Sequence, residues 1–512
     1  MGDFVIEKRW ARTTGFTAVG CILIAAAVIN YWPILNNTLI ADDHVFVNAF
    51  RVTSFSGLDK LFTMQSPLFV RPMTMFVFWV HSRLFGLNPW ASHLINVFLH
   101  GGIAFLLFCL MKNMGAKKPT AFVAALLFVL TPVAPDAVTW SSGRADVLVL
   151  FFMLLAMVLY GVYLTKRSWA AFSGAMLASA AALLSKEQGY ILIILLPSMD
   201  FLFGGIFLQS GIGAKKGLPA KTRLILTDAW SQLTDRGFLF RHGILLLLIC
   251  GNVILHFAIL GHMGGYEDVP LFSMPRIGSV RSTFRTMLSP LNPSDISWEV
   301  IRALRTYTVT LCLVGAALVV ARWRKTNLKA RRLFMMMVIF FIVSMLPVFT
   351  PFFAHGLSQG LKNSRWLYSP TVGLLAMMVI ALLEFGWQRR TWKIVAISIL
   401  LLLVPVYAVG LNSNNRPWQR AAAINYSIPK QAVELAPEPP QGARLAFMHL
   451  LIYRDSTITG YGFEETIKAA YGRDDLDVIW VKKSEPVPGP DTEGYIFDYD
   501  QENGLLRLVK EP

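Results

Sequence analysis

Two adjacent carboxylates and an imidazole, Asp42, Asp43 and His44, follow the first long apolar run of the chain. That run extends from about Gly15 to Trp32 and is long enough to cross a bilayer. A carboxylate at a membrane edge can accept a proton from a hydroxyl group, bind a cation or cap the N-terminus of a helix. In an extended segment, His44 would point away from Asp43. The stretch is therefore a candidate acid–base site.

Basic residues suited to phosphate binding lie at the ends of other apolar runs. They are Arg71, Arg144, Lys186 and Arg365. Guanidinium and ammonium groups at a membrane edge bind phosphate oxygens, or they extend to lipid headgroups without a role in catalysis. Asp146 is close enough in sequence to pair with Arg144, and Glu187 to neutralise Lys186. Phosphate binding, headgroup contact and local pairing all stay open for these residues.

Histidines form a second group of candidates. His93, Asn96 and His100 are spaced so that they line one helical face, which must contact protein or water rather than lipid. Interhelical hydrogen bonds account best for Asn96 and His100. His93 lies nearest the outer surface, so we expect it to contact the substrate.

A divalent cation is a further candidate ligand. His262 and His355 lie in other external loops, and Glu267 and Asp268 are near the first of them in sequence. Together with the acidic pair, these oxygen and imidazole groups suit Mg²⁺, Mn²⁺ or Zn²⁺. No local ligand spacing supports such a site, so no metal is assigned.

The composition indicates a polytopic membrane protein. The 512 residues are 55% hydrophobic and 15% charged, with a mean hydropathy of +0.52. The net charge of +16 comes from clusters of Lys and Arg between apolar runs, where they determine topology, so it does not indicate nucleic-acid binding. All four cysteines lie inside apolar runs, which argues against a disulfide framework. The first run lacks a small-residue cleavage site, so we expect a retained signal anchor.

The apolar runs predict about eleven transmembrane helices. They begin near residues 14, 93, 120, 146, 169, 189, 242, 303, 333, 368 and 393. Lys and Arg cluster in every second connection, so the positive-inside rule places those connections and the N-terminus in the cytoplasm. An odd number of spans places the C-terminus outside, which for a bacterial inner membrane is the periplasm. Nearly every polar cluster named above then falls on one extracytoplasmic side.

The segment Arg71–Phe85 is apolar but too short to cross the membrane comfortably, and a span here would reverse the charge pattern. We expect it to form a helix along the outer membrane surface, with Trp79 and Arg83 at the interface. The first external loop then covers residues 36–92, and loops of such length tend to be functional.

Six stretches, read in order, resemble one family. They are "ADDHVF", "LFVRPMTMF", "NPWASHLINVFLH", "TPVAPDAVTWSSGRADVLVLFF", "SKEQG" and "NSRWLYSPTVGLL". Together they are similar to the membrane-embedded part of transmembrane O-mannosyltransferases that carry tetratricopeptide repeats, and of their bacterial relatives. These enzymes are C-type (GT-C) glycosyltransferases, and the match is colinear from about Ala41 to Leu374.

The resemblance implies an inverting glycosyltransferase with a polyprenyl-phosphate sugar donor and an acidic site on the first external loop. Asp42 matches the first acid of the family's Asp-Glu pair and is expected to be the general base, while Asp43 would position the acceptor or share a metal. Which of the two abstracts the proton stays open, because the second acid here is Asp. Arg365 and Lys186 are the first candidates for holding the leaving phosphate. The expected substrate-binding residues are Arg71, His93, Arg144, Asp146, Lys186, Glu187, His355, Arg365 and Tyr368.

A polar region follows Leu411, which predicts a transmembrane domain over residues 1–411 and a small extracytoplasmic α/β domain over residues 412–512. The predicted elements are a helix at 418–434, a strand at 443–453, a helix at 463–471, and strands at 476–482, 495–500 and 505–509. No tetratricopeptide repeat is present, so the sugar and the acceptor, whether protein, lipid or glycan, stay open. Other expected partners are the membrane lipids.

A transporter or flippase for lipid-linked glycans is the alternative function. Such proteins typically show duplicated halves or helices broken near the midplane, and the sequence has no internal duplication of that kind.

Overall fold

The computed structural model describes residues 2–40, 42–50, 60–63, 69–86, 88–204, 233–262, 277–355, 361, 363–450, 463–481, 494–500 and 503–511. The described part is mostly α-helical, with one small sheet near the C-terminus. Eight helical stretches in it are long and apolar enough to cross a membrane. The chain is thus a multi-pass helical membrane protein, as the sequence predicts.

The helices of the first half are joined mostly by short connections. They are α1 (Gly2–Tyr31), α2 (Asp42–Ala49), α3 (Lys60–Thr63), α4 (Pro72–Phe85), α5 (Pro89–Asn113), α6 (Lys118–Val129), α7 (Pro135–Val138), α8 (Arg144–Lys166), α9 (Trp169–Ser185) and α10 (Leu192–Phe203). Short 3₁₀ turns at Ser141–Gly143 and Glu187–Ile191 precede α8 and α10.

The second half contains further helices and a sheet. They are α11 (Arg236–Leu260), α12 (Ile277–Leu288), α13 (Trp298–Arg322), α14 (Leu328–His355), α15 (Tyr368–Leu383), α16 (Arg390–Leu401), α17 (Leu403–Leu435), β1 (Arg444–Met448), α18 (Phe463–Tyr471), β2 (Asp477–Trp480), β3 (Tyr495–Asp500) and β4 (Leu505–Lys510). A 3₁₀ turn at Ser364–Leu367 leads into α15.

Each of the eleven predicted spans corresponds to a helix, but several of these helices are short. Helices α15 and α16, with 16 and 12 residues, reach the length of a span only together with the adjoining 3₁₀ turn and α17, respectively. Helices α6, α9 and α10 have 12, 17 and 12 residues, whereas about 20 residues are needed to cross the hydrocarbon core. The count of eleven therefore stays a prediction. The predicted surface segment is helical as expected, because α4 covers nearly all of it.

Helices α5, α8 and α15 lie at the centre of the bundle. Helix α5 packs against α1, α6 and α8, and α15 packs against α6 and α14. Where α5 meets α1, a Cβ atom at Gly101 would lie 2.9 Å from the Cα of Ile24, so only glycine permits this approach. The close packing fixes the ends of these helices, which carry the candidate site.

The C-terminal region forms a four-stranded sheet in the order β2-β1-β3-β4, with β1 parallel to both neighbours and β4 antiparallel to β3. Phe447 and Phe497 on one face of the sheet form a core with Ile428 of α17 and Ile467 of α18. The strands and the second helix lie where the sequence predicts them, although β1 ends at Met448 and residues 451–462 lie outside the described part.

One predicted element is longer than expected. Helix α17 continues from Leu403 to Leu435, through the predicted domain boundary after Leu411, although we expected a helix only from 418. The polar "NSNN" stretch does not break the helix, because Asn414 and Asn415 are buried and their side chains bond to neighbouring loops. The two-domain division itself stays a prediction.

Candidate active site

The acidic pair occupies the first turn of α2, where the helix dipole favours negative charge. The extended conformation that would turn His44 away from Asp43 is therefore wrong. His44 Nε2 instead donates to the carbonyl of Leu39, 2.9 Å away. The two carboxylates have different surroundings, since Asp43 is fully buried and Asp42 is half-buried.

Asp43 is held by three hydrogen bonds. Its Oδ1 accepts from the backbone N–H and the hydroxyl of Ser142, at 2.7 and 2.6 Å, and its Oδ2 accepts from the backbone N–H of Ile40 at 3.1 Å. The bond to Ile40 reaches back from the first turn of α2 to the segment that precedes the helix, so this carboxylate holds the start of α2 in place. Burial raises the pKa of Asp43 to about 7, although the hydrogen bonds oppose the shift.

Asp42 differs in that no described residue donates a hydrogen bond to its carboxylate. Burial raises the pKa of Asp42, and the positive charge of Arg365 offsets part of the rise. A half-buried carboxylate with a raised pKa and without a structural partner has the properties of a general base.

Three cations of the candidate site each pair with an acid from a different segment. Arg71 makes a bidentate contact with Glu187, through Nε at 3.1 Å and Nη2 at 2.8 Å. Lys186 Nζ lies 2.5 Å from Asp146 Oδ1. The alternative in which Glu187 pairs with Lys186 is not realised as an ion pair, because the 3₁₀ turn that follows Lys186 directs these adjacent side chains to different partners.

Arg365 is the third cation. Its Nη1 lies 3.3 Å from Asp136 Oδ2, and its backbone N–H donates to the same oxygen at 3.0 Å. The guanidinium carbon lies 4.9 Å from the centroid of the Trp140 ring, in a cation–π contact. Asp136 thus fixes both the main chain and the side chain at this position, a role that we did not predict.

The cations and the acid interact as one group. The charge of Arg365 acts on Asp42, and the charges of Arg71 and Arg365 act on Lys186. Burial lowers the pKa of the Lys186 ammonium, and the Asp146 carboxylate opposes this shift. Residues from four distant segments of the sequence therefore form one charged cluster, which we call the cation cluster and define as Arg71, Lys186 and Arg365 with their paired acids.

Arg144 lies outside the cation cluster and is completely buried. Its Nε donates to Asn96 Oδ1 at 2.9 Å, and its Nη2 donates to the carbonyl and hydroxyl of Ser92 at 3.0 and 2.9 Å. The guanidinium carbon lies 4.1 Å from the centroid of the Phe78 ring. Pairing with Asp146 is wrong, because residues two apart on α8 face nearly opposite directions.

The polar stripe of α5 makes interhelical bonds, as predicted for two of its members. Asn96 donates to carbonyl groups in the segment before α8. His100 Nε2 donates to the carbonyl of Val129 at 3.0 Å, so its Nδ1 accepts from the hydroxyl of Tyr368 at 2.6 Å. His93 Nε2 donates to the carbonyl of Asn37 at 3.1 Å. Tyr368 and His93 are buried, and their predicted contact with substrate stays a prediction.

Helix α17 also holds the segment that precedes the acidic pair. Asn425 donates to the carbonyl of Leu39 at 2.8 Å, and Thr38 donates to the carbonyl of Ala422 at 2.9 Å. This contact was not foreseen, because Asn425 lies almost 400 positions from Leu39 and in no recognisable motif.

The described residues give no support for a metal site. No three His, Cys, Asp or Glu side chains cluster there in a way that could hold an ion. Asp43 directs both oxygens at hydrogen-bond donors, which fits anchoring better than metal ligation. His355 ends α14 and its side chain lies outside the described part, as do Glu267 and Asp268. His262 follows α11 and is exposed.

A family model and several curated proteins match parts of this chain. A family model described as dolichyl-phosphate-mannose-protein mannosyltransferase matches residues 66–209. Human protein O-mannosyl-transferase TMTC2 is 33% identical over 153 residues, which cover 28% of this chain and 17% of that protein. The Caenorhabditis elegans protein O-mannosyl-transferase F38B6.6 is 23% identical over 425 residues, which cover 78% of this chain and 56% of that protein. The chain thus spans only part of the length of these relatives.

Two solved structures align with most of this chain. The archaeal oligosaccharyltransferase AglB from Archaeoglobus fulgidus has a TM-score of 0.46 at 12% identity, over 91% of this chain and 65% of that chain. ArnT from Cupriavidus metallidurans has a TM-score of 0.38 at 13% identity, over 96% and 94% of the two chains. The sequence matches confirm the resemblance drawn from the motifs.

Proposed function

We propose that this chain, which resembles protein O-mannosyltransferases of the C-type glycosyltransferase class, transfers a sugar from a polyprenyl-phosphate carrier to an acceptor hydroxyl. The observation that supports this most is the half-buried Asp42 carboxylate, which accepts no hydrogen bond from the described residues and on which the positive charge of Arg365 acts. A base next to a set of cations suits a reaction that removes one proton and releases one phosphate.

The proposed chemistry is a single displacement. The Asp42 carboxylate accepts the proton of the acceptor hydroxyl while that oxygen attacks the anomeric carbon of the donor sugar. The bond between this carbon and the phosphate oxygen breaks, and polyprenyl phosphate leaves with the electron pair. Attack opposite the leaving group inverts the anomeric centre.

The cation cluster would stabilise the leaving phosphate. Arg365 is the member whose charge acts on the Asp42 base, and the charges of Arg71 and Arg365 both act on Lys186. Their paired acids hold the side chains in place before the donor binds, so little reorganisation is needed as negative charge develops. Phosphate need not displace these acids, because a guanidinium carries five N–H donors.

Three other predicted residues would act by positioning. Asp43 fixes the start of α2 through Ile40 and Ser142, so that it orients its neighbour Asp42. Arg144 and His93 join the first external loop to α5 and to the segment before α8. No step of the proposed reaction passes through a metal ion.

The test is transfer in detergent. The purified chain would be incubated with radiolabelled polyprenyl-phosphate sugars, one sugar at a time, and with peptide, lipid or glycan acceptors bearing free hydroxyls. We expect label in one class of acceptor, together with release of polyprenyl phosphate in equal amount. NMR of the product would report the anomeric configuration, and retention would contradict the single displacement.

The flippase alternative gives a different result in the same assay. Detergent removes the two compartments, so a flippase would leave the label on its carrier. Lipid translocation in vesicles without any transfer in detergent would overturn the proposed function.

A further inference from the structure

Four arginines meet at the junction of α12 and α13. Arg281 and Arg285 are one turn apart on α12, and Arg302 and Arg305 are spaced three apart near the start of α13. The positive charges of the other three all act on Arg305. We call this group the arginine patch, and none of its members belongs to the cation cluster.

The patch lacks the acids that accompany every member of the cation cluster. No carboxylate of the described chain forms an ion pair with any of its four guanidinium groups. Three of the side chains are exposed, and Arg305 is half-buried with its Nε 3.3 Å from the hydroxyl of Ser289. Four like charges repel one another, so an anion that binds here relieves an unfavourable interaction.

The patch lies on the same side of the bundle as Asp42. Met287 of α12 packs in one cluster with Trp366 and Leu367, which directly follow Arg365 in the chain. The hydroxyl of Thr308 donates to the carbonyl of Leu288 at 2.6 Å and so joins α13 to the end of α12. This location holds whichever way the chain is inserted in the membrane.

Large exposed aromatic residues accompany the arginines. Phe284 on α12 and Trp298 at the start of α13 are 39% and 50% exposed. Aromatic side chains beside basic ones are typical of the headgroup level of a membrane, where one part of a ligand is apolar and another is charged. A small soluble anion has no apolar part that could contact these aromatic side chains.

We propose that the arginine patch binds the phosphate group of an anionic membrane lipid, in the leaflet that faces the candidate active site. The predicted topology strengthens this inference, because it places the patch outside the cytoplasm, where the positive-inside rule disfavours basic residues. Four arginines grouped there, without ion pairs to the acids of the described residues, indicate an anionic ligand. The site would hold a lipid headgroup next to the cation cluster.

The test measures lipid binding without any sugar donor, so its outcome is independent of the proposed transfer. The purified chain in neutral detergent would be titrated with phosphatidylglycerol and with phosphatidylcholine, and bound lipid would be counted by native mass spectrometry. Each basic residue near an anionic surface contributes about fivefold to binding. The double substitution R281Q/R285Q should therefore weaken phosphatidylglycerol binding by about 25-fold and leave phosphatidylcholine binding unchanged.

The matched control is R389Q/R390Q, which removes two exposed arginines at the start of α16. This variant should bind phosphatidylglycerol like the unchanged chain. Equal binding of both lipids by the unchanged chain would overturn the proposal, and so would an unaltered preference in R281Q/R285Q. Displacement of the lipid by millimolar inorganic phosphate would also overturn it, because the patch would then be a site for free phosphate.

Discussion

Ser142 donates two hydrogen bonds to one oxygen of Asp43, from its backbone N–H and from its hydroxyl group. The contact joins the start of α2 to the turn before α8, two segments separated by 99 positions in sequence. Because Asp43 is buried, its loss would leave hydrogen-bond donors without an acceptor. The start of α2, and with it Asp42, depends on this contact.

Substitutions at the Ser142–Asp43 contact should lower the free energy of unfolding, and by more when the carboxylate is lost than when the hydroxyl is lost. Ser142→Ala removes one hydrogen bond and should cost about 1 kcal/mol, whereas Asp43→Ala removes the acceptor of all three, including the partner of the buried Ile40 N–H, and should cost about 3 kcal/mol. Unfolding in mixed micelles with increasing SDS content measures the difference. Equal costs for the two variants would contradict an anchoring role for the carboxylate.

The pKa of Asp43 predicts a pH-dependent stability. Its folded-state pKa of about 7 lies above the unfolded value of 3.8, so the folded protein binds a proton that the unfolded chain does not. The stabilisation of the folded state by this bound proton is complete below the unfolded pKa of Asp43 and is lost as the pH rises through about 7. The unfolding midpoint of the unchanged chain, relative to Asp43→Asn, should therefore fall as the pH rises from about 4 to about 7 and level off at higher pH. If the unfolding midpoints of the two proteins change with pH in the same way, the raised pKa of Asp43 is contradicted.

Much of the fold followed from the sequence because apolar runs of bilayer length and strand alternation are local signals. The helical spans and the small sheet were predicted near their observed bounds. The continuation of α17 was missed because asparagine usually indicates a loop. Here Asn414 finds carbonyl partners at Pro132 and Pro290, and only the tertiary structure supplies them.

The candidate site was predicted as a set of residues but not as a set of pairs. Charge and position along the chain identified Lys186 and Glu187, but not which acid pairs with which base. The observed pairs join residues 40 to 229 positions apart, and no periodicity in the sequence reports such contacts. Asp136 lies in the same motif stretch as Arg144, which is a weak indication that it belongs to the site. Its contact with Arg365 is visible only in the structure.

Arg365 should be essential if it stabilises the leaving phosphate. Arg365→Ala should lower kcat on the order of 100-fold to 1,000-fold, and Arg365→Lys should restore part of the loss because lysine keeps the charge without the planar fork. Steady-state transfer assays measure the effect. The control is Arg416→Ala, an exposed arginine paired loosely with Asp295, which should keep full activity. Equal activity in both alanine variants would contradict a role of Arg365 in stabilising the leaving phosphate.

Membrane orientation is testable with reporter fusions. Alkaline phosphatase fused after Pro512 should be active, because the predicted odd number of spans places the C-terminus outside. The same reporter inserted near Lys215 should be inactive, and green fluorescent protein should give the reverse pattern. The opposite result at both positions would move the candidate site to the cytoplasmic face.

The central claim is that Asp42 abstracts the acceptor proton, and single-turnover transfer by Asp42→Asn tests it most directly. The substitution keeps the shape of the side chain but removes its ability to accept a proton, so the transfer rate should fall by about 10²–10⁴-fold while donor binding is retained. Asp474→Asn, the same change at an exposed position of the C-terminal region, should have no effect. A folded Asp42→Asn variant that transfers sugar within about threefold of the unchanged chain would contradict the account, because a general base contributes far more than that.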